Sequence, residues 1–301
     1  MAQVQAKGTQ EPGKVTAEVL LVDNNSTDGS PAILEDYAQR FPDLIRVLQC
    51  KKQGASAARN LGLSAAAGKW IQFLDADDEL LPGKIATQLQ HCPAGAAWII
   101  AAYYLRYPDK TTTVNHAHKD PWKGLVYRYR IGNVCANLYR RAALTYVGNF
   151  DESLINNEDP ELHFRLLKSG LAYCITEQAQ TIYHQHDNPT RLSRQDAAGG
   201  QVRRAELLVA VNRYLSNHRP GYWAGEAPYF RGALLRALRM LATYAPEQAA
   251  RMYERELYRR GEERQLLPIV PKHLQYLHWA FGFRLVERIR TRAGHLRRWF
   301  T

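Results

Sequence analysis

The first two hundred residues alternate short apolar runs with segments of helical periodicity. Four runs have the length and composition of strands: residues 17–22, 45–50, 70–74 and 96–107. Apolar positions at helical spacing separate them, over residues 30–41, 55–67 and 82–91. Strands that alternate with helices predict an α/β domain with a mainly parallel sheet, whose ligands bind beyond the carboxyl ends of the strands.

The pattern changes near residue 200. Four Arg-rich segments with helical spacing follow, over residues 201–217, 233–244, 246–260 and 272–295, and no strand pattern interrupts them. The sequence therefore predicts two domains, an α/β domain over residues 1–200 and a basic helical appendage over residues 201–301.

Charge follows the same division. Residues 201–301 contain 19 of the 40 Lys and Arg residues but only 8 of the 29 Asp and Glu residues, so they hold the whole net charge of +11. Such a surplus favours an anionic partner, either lipid headgroups or nucleic acid. The alternative is a basic helical surface that is simply solvated.

Composition narrows the class of protein. An apolar fraction of 46% and a charged fraction of 23% are those of an ordinary globular chain. No apolar run is long enough to span a bilayer, and residues 1–14 lack the apolar core of a secretory signal. The four cysteines form no C-x-x-C pair, which argues against a zinc site and favours reduced thiols in the cytoplasm.

One segment concentrates carboxylates at a predicted strand end. Residues 71–81 read IQFLDADDELL and place Asp75, Asp77 and Asp78 within four positions. Three carboxylates this close repel one another unless a cation or hydrogen-bond donors offset their charge. Mg²⁺ and Mn²⁺ prefer such oxygen ligands together with phosphate oxygens. The segment predicts either a metal–diphosphate site or an acidic loop that caps the next helix.

Five segments together resemble the inverting family 2 glycosyltransferases, which have the GT-A fold, a Rossmann-like α/β domain. They occur in the family's order and cover roughly residues 17–195. The segments are VDNNSTDGS (22–30), GASAARNLGLSAAAGKWIQFLDADD (54–78), VGNFDESL (147–154), NEDPELHFRLLKSG (157–170) and YHQHDNPTRLS (183–193).

The resemblance implies a set of donor-binding residues. Asp23 and Asn24 occupy positions that contact the base of the nucleotide, and Arg59 one that holds the nucleotide, although an Arg here could instead capture a local carboxylate. Asp75 and Asp77 match the acidic donor motif, with Asp77 near the ribose. The implied metal ligands, for Mn²⁺ or Mg²⁺, are Asp77, Asp78 and His186; His186 has a structural role as its alternative.

The resemblance also implies the catalytic pair Glu158 and Asp159. Asp159 would be the base that deprotonates the acceptor hydroxyl in one inverting displacement, and Glu158 would orient the acceptor or its neighbours. Because Pro160 follows, Asp159 also reads as a helix N-cap. The partners implied are a nucleotide-sugar donor and a glycan or lipid-linked acceptor, as in polysaccharide or cell-wall synthesis. Trp122, Tyr127 and Tyr129 are expected in the core, with sugar stacking as the alternative.

The final segment has the pattern of an interfacial helix. Residues 281–300 place Leu285, Ile289, Leu296 and Phe300 on one stripe with arginines beside it. This predicts peripheral binding of residues 281–301 to an anionic membrane surface on the cytoplasmic side. The alternative is that the stripe packs on the domain. Nucleic acid is not expected as the partner, since no reading helix or RNA-binding motif accompanies the charge.

The start of the chain departs from the family pattern. Members normally open with a central strand before the segment at 22–30, whereas Gly8, Pro12 and Gly13 argue here against any strand before residue 17. Either the start is assigned too late, or the protein is a truncated, catalytically impaired member that binds sugar nucleotides or partners without transfer.

Overall fold

A computed structural model describes residues 2–8, 15–186, 196–258 and 267–292. The chain forms two compact units, residues 1–190 and residues 191–301. That residues 1–200 are the α/β domain and residues 201–301 the basic helical appendage stays a prediction.

The first unit contains strands and helices in alternation. Its strands are β1 (Ala2–Gly8), β2 (Val15–Asp23), β3 (Ile45–Gln49), β4 (Trp70–Leu74), β5 (Glu79–Leu80), β6 (Trp98–Ala101), β7 (Tyr103–Arg106), β8 (Thr112–Asn115), β9 (Leu138–Arg140), β10 (Tyr173–Thr176) and β11 (Thr181–His184). Its helices are α1 (Ser30–Arg40), α2 (Ala55–Ala65), α3 (Lys84–Gln90), α4 (Pro121–Val126), α5 (Arg141–Tyr146) and α6 (Glu158–Lys168).

Seven strands form the main sheet, in the order β10-β6-β9-β4-β1-β2-β3. Strands β2, β3, β4, β6 and β10 run in one direction, while β1 and β9 run against them. Most strands of the sheet thus run in the same direction, as predicted. Because β1 and β9 are inserted between them, only β2–β3 and β6–β10 are parallel neighbours. The carboxyl ends of five strands meet at one edge.

Strand β1 corrects the prediction that no strand precedes residue 17. It pairs with both β2 and β4 and so lies inside the sheet. The prediction failed because Gly8 ends the strand instead of interrupting it. Residues 2–7, AQVQAK, alternate small or apolar residues with polar ones at the period of two that a strand requires. The place beside β2 is thus occupied by β1, while the alternative of a truncated, impaired member stays a prediction.

The predicted strand over residues 96–107 is two strands in different sheets. β6 belongs to the main sheet, and β7 belongs to a second sheet of order β5-β11-β7-β8. The chain changes sheets at Ala102, whose N–H donates to the carbonyl of Thr176. The apolar runs of the sequence correspond to buried strands: Phe73 in β4 and Trp98 in β6 are fully buried.

The described residues of the second unit form helices only, as predicted for the appendage. They are α7 (Ala197–His218), α8 (Pro220–Leu241), α9 (Pro246–Glu256), α10 (Lys272–Phe281) and α11 (Phe283–Arg292). Gly282, at φ 77°, breaks the helix predicted over residues 272–295 into α10 and α11. None of the helices in the described ranges has the length and hydropathy needed to cross a membrane.

Candidate active site

The loop after β2 is closed by two side chains at the strand end. Asp23 is buried, and its Oδ1 accepts a hydrogen bond from the Ser26 N–H at 3.1 Å. Hydrogen bonds from Ser26 hold the pKa of Asp23 below its usual value. The Asn24 amide donates to the Cys50 and Lys52 carbonyls and accepts from the Gly54 N–H at 2.7 Å. Asn24 therefore joins the end of β2 to the loop that leads into α2.

Arg59 on α2 gathers the acidic side chains of the site. Its Nη2 lies 3.0 Å from Asp75 Oδ1, and its Nη1 lies 3.1 Å from Glu158 Oε1 and 3.0 Å from Asp159 Oδ1. The Arg59 side chain is only 4% exposed. The structure thus brings together Arg59, Asp75, Glu158 and Asp159, four of the residues that the sequence singled out.

Helix α6 places Glu158 and Asp159, but it begins differently from the prediction. The N-cap is Asn157, in the left-handed region at φ 63°, and Asp159 lies inside the first turn. The N-cap prediction for Asp159 was therefore wrong: Asn tolerates the left-handed backbone at which this helix begins, a feature that Asp-Pro spacing does not reveal. Asp159 Oδ2 accepts instead from the Val134 N–H at 3.3 Å.

Burial changes the proton affinity of Asp159. Desolvation raises the pKa of Asp159 to about 7, with Glu158 and Asp75 adding to the rise and Arg59 opposing it. A carboxyl group with such a pKa exchanges protons near neutral pH, as a general base must.

His163 fixes α6 one turn below these carboxylates. It is 1% exposed, its Nε2 lies 2.7 Å from the Tyr139 hydroxyl, and its ring stacks on Trp98 at 5.3 Å. Burial, followed by the charge of Arg59, lowers the pKa of His163 to about 3. The neutral imidazole therefore ties α6 to β6 and β9.

A second acidic group lies behind Asp75. Ligand atoms of Asp75, Asp78 and Cys135 all lie within 4.8 Å of one another. Burial, together with the charges of Asp75 and Asp77, raises the pKa of Asp78 to about 7. Its Oδ1 accepts from the His184 N–H at 3.1 Å, whereas the buried Oδ2 accepts no hydrogen bond from the described residues.

The other predicted metal residues lie at the surface. Asp77 Oδ2 is 3.6 Å from His186 Nε2, and both side chains are nearly half exposed. The His186 ring stacks on His184, which in turn binds Glu79 Oε1 at 2.7 Å. The structure thus pairs Asp77 with His186, and places Asp78 deeper in the protein.

Comparison with known proteins decides the family. Residues 11–154 match the model of Glycosyl transferase family 2. Residues 11–154 are a family 2 glycosyltransferase domain. The family prediction is confirmed.

Two curated relatives of the glycosyltransferase domain are much longer than the matched part. The uncharacterized glycosyltransferase YibD of Escherichia coli (strain K12) is 43% identical over 65 residues, 22% of this chain and 19% of YibD. The minor teichoic acid biosynthesis protein GgaB of Bacillus subtilis (strain 168) is 27% identical over 188 residues, 58% of this chain and 20% of GgaB. The chain spans about a fifth of the length of each relative.

A solved structure shares the fold of the glycosyltransferase domain. S. aureus TarS 1–349, in complex with UDP-GlcNAc, aligns with a TM-score of 0.52 and 17% identity, over 91% of this chain and 82% of that chain. The predicted GT-A fold is confirmed.

Sequence reasoning missed several residues of the candidate site. Cys135 was noted only for its lack of a C-x-x-C partner, and Val134 gave no signal, because both lie in a loop without a distinctive motif. Phe150 packs its ring 5.2 Å from the Arg59 guanidinium carbon. Its place in the segment VGNFDESL was the one available signal.

Proposed function

We propose that this chain transfers a sugar, with inversion, from a nucleotide-diphosphate donor to the hydroxyl group of a glycan or lipid-linked acceptor. The observation that supports this proposal is the grouping of Asp75, Glu158 and Asp159 around Arg59. It sets a candidate base beside the strand end that carries the acidic donor motif. GgaB, which is named for teichoic acid biosynthesis, favours a cell-wall polysaccharide as the class of product.

Asp159 is the proposed base. Its carboxylate would take the proton of the acceptor hydroxyl as the oxygen attacks the anomeric carbon and the nucleoside diphosphate leaves. Arg59 holds one oxygen of this carboxylate and the Val134 N–H holds the other, so its orientation is fixed before substrate binds. Glu158, on the same guanidinium, would orient the acceptor.

A divalent cation fits the residues at the end of β4. Asp78 Oδ2 is buried and accepts no hydrogen bond within the described part of the chain, and Asp75 adds a second carboxylate nearby. Burial and these carboxylates raise the pKa of the Cys135 thiol, so that it stays protonated and is a poor ligand for a hard ion. Asp75 and Asp78 would hold Mg²⁺ or Mn²⁺, with Asp77 and His186 at the surface. The cation would offset charge on the leaving diphosphate.

The residues proposed to bind the base and ribose of the nucleotide lie at the ends of β2 and β4, two strands of the main sheet. Asp23 and Asn24 end β2 at the same edge of the sheet as Asp75. We propose that Asp23 and Asn24 contact the base of the nucleotide, and that Asp77 lies near its ribose. Asn24 would act mainly by holding the loop that precedes α2.

The Asp159→Asn variant tests the proposed base. We expect it to lose transfer by two or more orders of magnitude, since general bases contribute roughly 10²–10⁴-fold. Binding of UDP-, dTDP- and GDP-sugars with Mn²⁺, measured by thermal shift, should persist. The Asp78→Asn variant should instead lose the Mn²⁺-dependent part of that binding.

The matched control is Asp36→Asn, which changes an exposed carboxylate of α1 that lies 3.3 Å from the Arg40 guanidinium. It should retain both transfer and binding. Transfer by Asp159→Asn at the wild-type rate would refute the role of the base.

We also propose that α11 and the residues after it bind an anionic membrane surface. Leu285 and Ile289 are 46% and 50% exposed on one face of α11. Phe283 and Val286, on the other face, are buried in the second unit. Leu296 and Phe300, the rest of the predicted stripe, lie outside the described residues. Such a surface would suit an acceptor held by a lipid.

A further inference from the structure

The segment that leads to Asp159's backbone donor contains two consecutive residues in a strained conformation. Arg128 and Tyr129 have φ values of 57° and 52°. Side chains larger than Asn rarely adopt this left-handed region, and strain of this kind concentrates at functional sites. Tyr129 is also 44% exposed, in contrast to Trp122, which is buried in the core as the sequence predicted.

The strained segment is held firmly on both sides. The Arg128 carbonyl accepts from Asn115 Nδ2 at 3.2 Å, and the Arg130 carbonyl accepts from the His118 N–H at 2.7 Å. A Cβ on Gly124 would lie 2.4 Å from the Arg130 carbonyl oxygen, so α4 packs closely against this segment. The Tyr129 ring is therefore presented on a rigid backbone.

Contacts within this loop connect Tyr129 to the proposed base. Five residues after Tyr129, the Val134 N–H donates to Asp159. Asn115, which binds the Arg128 carbonyl, also donates to the buried Tyr103 hydroxyl at 2.7 Å. Burial raises the pKa of Tyr103, and Tyr183, Tyr129 and Asp159 add to the rise. The loop that carries Tyr129 thus continues to the backbone N–H that binds Asp159.

We propose that Tyr129 is the stacking platform for the acceptor, a pyranose ring whose hydroxyl faces Asp159. An exposed aromatic ring offers a flat apolar surface to the C–H face of a sugar, and Tyr does so at low cost in side-chain entropy. The acceptor is favoured over the donor because the Tyr129 loop reaches Asp159, whereas the donor residues lie at the ends of β2 and β4. This inference rests on the proposed function.

Ligand-observed NMR tests the platform without requiring turnover. Saturation transfer is measured to methyl glycosides of glucose, galactose, N-acetylglucosamine and N-acetylgalactosamine at millimolar concentration, with UDP and Mn²⁺ present. At least one glycoside should receive saturation on its ring protons from the wild type and from Tyr129→Phe, which keeps the ring. Tyr129→Asn should abolish this signal while tolerating the left-handed backbone. Tyr129→Ala should do the same.

Tyr146→Ala is the matched control, since Tyr146 is 72% exposed in the same unit. It should give the wild-type signal. With a glycoside that accepts sugar, Tyr129→Asn should raise the acceptor KM roughly three- to tenfold, the range of an aromatic contact, and leave the donor KM unchanged.

Two outcomes would overturn the inference: no saturation transfer with the wild type, or an unchanged signal with Tyr129→Asn. Neither would affect the proposed transfer reaction, which depends on the Asp159→Asn result. If Asp159→Asn loses transfer while Tyr129→Asn keeps the wild-type saturation-transfer signal, the proposed transfer reaction stands and the stacking role of Tyr129 does not.

Discussion

At the scale of single residues, one buried guanidinium group, that of Arg59, joins the acidic side chains of the candidate site. The Arg59 guanidinium binds three carboxylates that come from β4 and α6, and it packs against Phe150. These carboxylates are 17% to 29% exposed, so each keeps some contact with water. Arg59 therefore ties the end of β4 to α6, and its contact with the nucleotide stays a prediction.

The Arg59→Met variant should be destabilised. Removing one partner of a buried ion pair costs about 3–5 kcal/mol, and the partial exposure of the carboxylates places the expected loss near the lower end. The free energy of unfolding in urea measures it. Arg40→Met removes an exposed pair with Asp36 and should change stability by less than about 1 kcal/mol. Equal losses in the two variants would contradict this role of Arg59.

Residue types and their order in the chain predicted most members of the site. Asp75, Asp159 and Arg59 carried recognisable motifs, so their grouping could be expected. The participation of Val134 and Cys135 could not, because a backbone N–H and a buried thiol acquire roles only through tertiary packing. Burial of neighbouring acids could not be predicted either: Asp78 is buried beside Asp75, whereas Asp77, its neighbour in sequence, lies at the surface.

At the scale of elements, β1 shows how local signals can mislead. Gly8, Pro12 and Gly13 argued against any strand before residue 17, although Gly8 is the last residue of β1. Its position between β2 and β4 depends on long-range pairing, which no local pattern encodes.

A proline within β1 tests this position. Val4 pairs with Val19 of β2 and with Gln72 of β4, so Val4→Pro should remove a backbone hydrogen bond from the interior of the sheet. We expect a loss of about 1–3 kcal/mol in the free energy of unfolding. Val4→Thr, which keeps the N–H and the β-branch, should remain within about 1 kcal/mol of the wild type. If Val4→Pro left the free energy of unfolding unchanged, residues 2–8 would not pair inside the sheet.

The anchoring of α6 predicts a dependence of stability on pH. The pKa of His163 is lowered from 6.5 to about 3 in the folded protein. Its stabilising contribution is therefore complete above pH 6.5 and is lost as the pH falls toward 3, because the unfolded state then binds the proton more readily.

The His163→Gln variant, compared with the wild type in urea at a series of pH values, should lose less stability over this interval. His91→Gln, at an exposed histidine that follows α3, should retain the wild-type profile. Parallel profiles for wild type and His163→Gln would show that His163 does not titrate in this way.

At the scale of the whole molecule, the excess positive charge and the exposed apolar face occur in the same unit. The described part of the predicted stripe does not pack on the unit, since Leu285 and Ile289 are exposed, whereas Phe283 and Val286, on the other face of α11, are buried. Deletion of residues 281–301 would therefore disturb the core, so substitution on the exposed face is the better test. Membrane binding stays a proposal.

The double variant Leu285→Glu and Ile289→Glu should bind vesicles rich in phosphatidylglycerol much more weakly than the wild type in sedimentation assays. Phosphatidylcholine vesicles should bind neither protein well. The control, Met240→Glu with Tyr244→Glu, changes two exposed apolar residues of the same unit by the same charge. Equal sedimentation of the two double variants would remove the proposed membrane surface.

The antiparallel strand β1 also sets a width. Ala2 lies opposite Leu21 on one side and Leu74 on the other, so Asp23 and Asp75 leave the sheet at nearly the same level, two strand spacings apart. Two spacings are about 10 Å, whereas direct pairing of β2 with β4 would leave about 5 Å. β1 is thus a spacer that sets the distance between these two carboxylates, which the proposed contacts to the base and ribose of one nucleoside would have to span.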